Sequence, residues 1–414
     1  MQDGSDQEKY RVVRVLRMSK GMSGAGQCPR LKLLGSLAHG IAACFYIIEE
    51  DVVKDSQLTV EALFTTIEES KREYAKQGKS MPEHLWVQVD NAPGENKNQH
   101  VFTAVAGLVA KGVFKSATIA FLRVGHTHED LDGLWGVNAT VLGKVTQWDS
   151  PNEIIQHTRR VMEATLGRLH VLVQRLDFVR PWKAWNSPLG VAGFKGVTGK
   201  GSPHYYRFSR REDLPAELLP RVDAVGDPKD VMLEIKEFMA SPELCQDIVC
   251  VIPAAHIDAA GPPPSSVLPR ATIGPKMKAD LKKFIDALKI QFPERTGAMD
   301  YITEWMTRST SCGLTTPHLL TFFDHRCAAG PPVFAAPASI MTLHHQYPVK
   351  AVQVTRVEAR EIGQGAKRAR SGPANMEFTA YVAHRVSQGH SAEDAQREWN
   401  GMALLRLGHG MRDV

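Results

Sequence analysis

Acidic residues at two places in the chain have the type and setting for cation-assisted chemistry. Asp90 closes the apolar run HLWVQV (84–89). Glu129, Asp130 and Asp132 open the stretch EDLDGLWG, which follows a second apolar run, ATIAFLRV (117–124). Carboxylates held a few ångströms apart repel as anions and raise each other's pKa. A divalent cation removes that penalty. Mg²⁺ takes carboxylate oxygens and keeps several waters, and two such ions can activate a water or hydroxyl and stabilise the leaving oxygen of a phosphodiester. A third acid would come from the first strand of such a sheet. Asp3 and Asp6, in MQDGSDQ, are the only acids early enough, and Asp3 is better placed to end a strand. The candidate metal-holding acids are therefore Asp3, Asp90 and one of Glu129, Asp130 and Asp132, with Mg²⁺ or Mn²⁺ as the cation and Asn91 beside them. The same residues suit plainer roles: Asp-Asn-Ala-Pro-Gly (90–94) is good turn chemistry, and Asp130 and Asp132 suit the positive end of a helix dipole.

Two neighbouring stretches carry further polar chemistry. Gly125-His126-Thr127-His128 is a loop directly after the second apolar run. His-x-His can ligate zinc, but Cys or His partners at a usual spacing are missing. A role for His126 and His128 beside the acids, or bonded to a phosphate, is favoured over zinc. Glu95-Asn96-Lys97-Asn98 follows Asp90, and its N–H groups with Lys97 could receive an anion. A polar first helical turn is the more common outcome of such a sequence.

These groups need elements to position them. Apolar stretches at 31–37 and 42–48 flank His39-Gly40 and read as a hairpin. Asp55 and Ser56 offer caps to a helix with apolar residues at Leu58, Ala62, Phe64 and Ile67, ending before Gly78. Residues 84–89 read as a strand. Residues 95–111 read as a helix with Val101, Val105, Leu108 and Val109 on one face and Gly112 just beyond. Residues 117–124 read as a strand covered on both faces, and 129–142 as a helix. That order describes an α/β sheet with crossover helices. Further on, 153–175 looks helical, 204–211 (HYYRFSRR) is aromatic and basic, and 230–239 fits a strand or a helix. The expected organisation is a core over 1–175, an α+β extension over 176–253, and a Pro-rich linker over 254–276. A small helical region over 277–327, a linker with a basic stretch over 328–375 and a helical hairpin over 376–408 complete it.

The 414 residues leave room for two or three domains, and 43% hydrophobic with 23% charged residues excludes a wholly disordered chain. Runs of about 20 apolar residues are lacking, so a membrane-spanning protein is not expected. The polar start, MQDGSDQEKY, does not read as a secretory signal. The six cysteines form no CxxC pair, which fits reduced thiols rather than a disulfide framework. An intracellular protein is expected. The net charge of +5 is uneven: −1 over residues 1–150 and +6 over the remainder. A basic balance suits polyanions without requiring one.

The stretches VQVDNAPGENKNQH (87–100) and FLRVGHTHEDLDGLWG (121–136), with the start DGSDQEK (3–9), LGSLAHG (34–40) and KDS (54–56), resemble the domain of unknown function 7869 family. More loosely, the element order and the positions of Asp3, Asp90 and Asp132 are similar to ribonuclease H-like transposases and integrases. That resemblance implies a ribonuclease H-like mixed sheet with crossover helices, a first strand truncated here, and small C-terminal helical segments. It implies a transposon-derived, nuclear protein that cuts or joins DNA through an Asp triad. Two departures stand against it: Asp where integrases usually have Glu, and the clipped first strand. On this reading Arg207, Arg210, Arg211, Lys367, Arg368 and Arg370, with basic residues in 276–284, contact phosphates, and Tyr205, Tyr206 and Phe208 could stack on bases. The aromatics equally suit a core. Two alternatives remain: an inactive nucleic-acid or protein-binding module on the same fold, and a hydrolase using His126 and His128 with Asp90 or Asp132.

Overall fold

The computed structural model describes residues 2–4, 10–14, 29–121, 130–145, 147–189, 203–223, 225–308 and 319–324. All belong to the first of two units, Met1–Val349. The expected linker over 328–375, the hairpin over 376–408, and Lys367, Arg368 and Arg370 lie outside the described residues.

A mixed nine-stranded sheet organises this unit. Its strands are β1 (Gln2–Gly4), β2 (Leu31–Ala38), β3 (Ala42–Glu49), β4 (His84–Val89), β5 (Ser116–Phe121), β6 (His170–Arg175), β7 (Tyr205–Arg210), β8 (Val231–Lys236) and β9 (Val249–Ile252). They lie in the order β6-β3-β2-β1-β4-β5-β7-β8-β9. β1 pairs antiparallel with β2 and parallel with β4. β2 and β3 form the expected hairpin, turning through Gly40 at φ +75°, a conformation glycine adopts without steric cost. β4 and β5 run parallel, joined by a helix, as parallel neighbours require.

Helices cover both faces. α1 (Ser56–Lys76) and α2 (Gln99–Ala110) occupy one face. α3 (Asp130–Lys144) and α4 (Pro151–Leu166), then α6 (Pro275–Gln291) and α7 (Thr296–Thr307), occupy the other. A short α5 (Trp182–Asn186) packs with the first set. β3 shows why the sheet is buried twice. Cys44, Tyr46 and Ile48 enter the core shared with α1 and α2, and Phe45 and Ile47 enter the core shared with α3, α4, α6 and α7. Strand side chains alternate between faces, so an all-apolar strand needs cover on both.

Several boundaries depart from the sequence expectation for local reasons. The helix expected from residue 95 begins at Gln99. Asn98 caps it, accepting from the backbone N–H of His100 (3.0 Å) and Val101 (3.2 Å). The stretch 153–175 is not one helix: it ends at Gly167, φ +62°, and continues as β6, parallel to β3. Residues 231–236, open between helix and strand, extend the sheet as β8. The Pro-rich segment 254–276 is held along the core. The Leu268 N–H donates to the Val179 carbonyl at 2.7 Å, and Trp185 Nε1 to the Pro262 carbonyl at 2.8 Å.

Candidate functional site

Strand register decides which acids are neighbours. Gln2 of β1 lies beside Val89 of β4 in a parallel pair, so positions 3 and 90 follow side by side where both strands run out. Adjacent strands are about 4.8 Å apart. Position 3 also pairs with Gly35 of β2. A Cβ on Gly35 would lie 3.0 Å from Leu131 Cδ2 and 3.0 Å from Trp135 Cζ2. Helix α3 therefore crosses directly over this point, so close that a side chain here would press on Leu131 and Trp135. Asp130 and Asp132 occupy the first turn of α3. Asp130 Oδ2 is 3.2 Å from His39 Nε2 in the β2–β3 turn, tying the helix start to the hairpin. His39 had no role in the sequence reading beyond that turn.

The side chain of Asp3 lies outside the description, as do His126, His128 and Glu129. Among the described residues, no group of three or more His, Cys, Asp or Glu side chains could hold a metal ion. Asp90, Asp130 and Asp132 thus do not make such a group by themselves.

The stretch after Asp90 is a compact turn, not an open helix start. The N–H groups of Asn96 and Lys97 donate to the Ala92 carbonyl at 2.8 and 3.0 Å. Asn96 Nδ2 donates to Asp90 Oδ1, and Asn96 Oδ1 accepts from Thr59 Oγ1 of α1 at 3.0 Å. A Thr59–Asn96–Asp90 chain therefore orients the carboxylate. Asn98 Nδ2 donates to the Pro93 carbonyl at 3.1 Å, closing the turn. Asn91 is half-buried beside it.

Lys97 does not serve as a solvent-facing anion receptor. It is 1% exposed, and its ammonium lies 5.0 Å from the centre of the Phe121 ring. Burial pushes it down to about 8, with Glu237 opposing that shift. The ammonium is thus carried inside the strand-end region, where an aromatic face favours it.

Beside Asp90 lies a cleft of about 120 Å³ lined by Gln2, Lys32, Lys54, Glu95 and Asn96 among others. Lys54 Nζ is 3.0 Å from Glu95 Oε1. Lys32 Nζ donates to the Val52 carbonyl at 2.6 Å, and burial lowers its pKa. Asp55 caps α1, accepting from the Gln57 N–H at 2.9 Å, and pairs with Lys183 Nζ at 2.7 Å. Lys54, Asp55 and Glu95 are thus engaged with one another's elements.

The arginines expected to reach nucleic acid are engaged within the chain. Arg207 lies 3.7 Å from Glu234. Arg210 donates to the Ala110 carbonyl at 3.1 Å, and Arg211 to the Asp223 carbonyl at 2.7 Å. Tyr206 and Phe208 are fully buried and pack on Phe102; Tyr205 is 6% exposed. These aromatics build the core rather than a stacking platform.

Residues 27–219 match the family model described as domain of unknown function (DUF7869). That segment of the chain belongs to this family. The match contains Asp90, the Asn96–Asn98 turn, His39, Asp130 and Asp132, and leaves Asp3 outside it. No curated protein and no solved structure matches the chain. Among the described residues, no helix is long and apolar enough to cross a membrane.

Proposed function

We propose that the unit is a ribonuclease H-like core that carries out divalent-cation-dependent cutting or joining of DNA phosphodiesters, of mobile-element origin. The observation that carries this reading is the register. Positions 3 and 90 adjoin at the ends of the parallel pair β1–β4, in a sheet whose first five strands run 3-2-1-4-5. A mixed sheet with crossover helices is what the ribonuclease H-like resemblance implies. Helix α3 supports it by bringing Asp130 and Asp132 on an element that packs over position 3's partner, Gly35.

An all-carboxylate donor set fits a hard cation, Mg²⁺ or Mn²⁺, better than zinc. Asp3 and Asp90 would hold it, with Asp132 or Asp130 as the acid from α3. Once bound, such ions activate the attacking oxygen and stabilise the leaving one. The chain's own contribution is positional. Asn96 holds one oxygen of Asp90 and Thr59 holds Asn96, so the carboxylate orientation is set before any substrate arrives. Such supporting contacts typically matter 10- to 100-fold.

The test is nicking of supercoiled plasmid, linear duplex and single-stranded DNA by the full chain with Mn²⁺. Asp90→Asn, prepared identically, is expected to abolish it. Wild-type protein that nicks none of the three substrates, or Asp90→Asn protein that nicks as well as wild type, overturns the proposal. The five exposed lysines of α6 support a second reading: a nucleic-acid-binding module without catalysis. It requires DNA affinity that is indifferent to divalent cations.

A further inference from the structure

Helix α6 carries five lysines, Lys276, Lys278, Lys282, Lys283 and Lys289, against two acids, Asp280 and Asp286. All five lysines are exposed. At 3.6 residues per turn, Lys278, Lys282 and Lys289 fall within about 40° of one another around the axis and span about 16 Å along it. They form a row that the buried Ile285 interrupts between Lys282 and Lys289, and that the exposed Asp286 flanks about 40° from Lys282. Asp280 lies off that row and sits 3.9 Å from Lys283.

The buried side of α6 says what the row can face. Leu281, Phe284, Ile285 and Leu288 are all in the core shared with α3, α4 and α7. A helix that lies on a membrane needs its apolar side for the acyl boundary, and α6 has committed that side to the protein interior. Only a partner that reads charge alone is suited. A nucleic-acid backbone is such a partner, with one charge per about 1.7 Å of duplex axis. A row of about 16 Å meets many of them. The row also stands on the same face of the sheet as α3, because both helices share one core.

We propose that Lys278, Lys282 and Lys289 of α6 are the phosphate-contacting row of this protein, and that it binds the nucleic-acid backbone without reading sequence. This deepens the proposed function and rests on its choice of nucleic acid as partner. It does not rest on catalysis. It narrows the phosphate contacts expected of 276–284 to one side of α6, extends them to Lys289, and sets aside Arg207, Arg210 and Arg211, which the chain uses internally.

Fluorescence anisotropy of the full chain with a labelled DNA duplex, in EDTA and across a salt series, tests it. Each phosphate contact adds about 0.9 to the slope of log affinity against log salt. The triple variant Lys278→Gln, Lys282→Gln, Lys289→Gln is expected to lose about 2.7 from that slope and up to about 500-fold in affinity at 0.1 M salt. Lys79→Gln with Lys229→Gln, exposed lysines on other elements, is expected to leave the slope unchanged. A triple variant with wild-type slope and an unaltered melting curve overturns the assignment. So does wild-type protein that binds phosphatidylserine vesicles but no DNA. A protein that binds DNA through the row and yet nicks none would sink the catalytic proposal alone, and would support this one.

Discussion

Glu49 ends β3 with its carboxylate 1% exposed, among three guanidiniums. Its Oε2 accepts from Arg175 (2.5 Å), Arg270 (2.7 Å) and Arg308 (2.5 Å), and Oε1 accepts from Tyr301 Oη (3.0 Å). These partners come from β6, from the Pro-rich segment and from the end of α7, so one side chain fastens three distant parts to the sheet. Burial alone would raise its pKa. The arginines outweigh burial and hold it at about 2, against an ordinary 4.5. At 1.36 kcal/mol per unit, that lowering corresponds to about 3 kcal/mol of stability at neutral pH. Glu49→Gln keeps the shape and removes the charge, so it is expected to cost about 3 kcal/mol in urea unfolding followed by tryptophan fluorescence. The same range holds for breaking buried ion pairs elsewhere. The pH dependence follows from the direction of the shift. The contribution is complete above the unfolded value of 4.5 and is lost as pH falls through the folded value of about 2. The gap between wild type and variant should halve near about pH 3.3 and close below that. A gap under about 1 kcal/mol at pH 7, or one that widens on acidification, would refute the reasoning.

Two further substitutions probe how the candidate site is positioned. Gly35→Ala places a Cβ 3.0 Å from Leu131 and Trp135 of α3; overpacking of this kind costs about 1–3 kcal/mol. It should lower the melting temperature, and any nicking should fall with it as the α3 acids shift. A Gly35→Ala protein with unchanged melting would show that α3 yields freely. Asn98→Ala removes the cap of α2 and is expected to cost about 1 kcal/mol in chemical denaturation, with Asn98→Asp recovering most of it. Equal losses from both variants would point to the Asn98–Pro93 bond instead.

Elements whose local signals agree were legible along the chain. The hairpin at His39-Gly40, the strand 84–89, the capped α1 and the start of α3 all follow from periodicity, turn residues and caps acting over a few residues. Asn98 and Gly112, which bracket α2, were equally legible as residue types, although the helix was expected four residues too early. The chain there has two ways to satisfy its N–H groups, and a turn onto Ala92 won. Composition misled at 254–276, because proline and glycine describe a segment that cannot form helix or strand. They say nothing of whether it docks, and Arg270's contacts with Glu49, Asp51 and Asp177 decide that.

Which side chains meet was set by the folding of the chain in three dimensions. That Lys97 lies inside, that Arg207, Arg210 and Arg211 serve their own chain, and that His39 reaches Asp130 all depend on pairings across 12 to 100 residues. Such pairings leave no periodic trace along the sequence. The adjacency of positions 3 and 90 is of the same kind. It comes from a parallel register between strands separated by the whole of β2, β3 and α1. Residue type could name these acids as candidates, but a shift of a single residue in that register would have separated them.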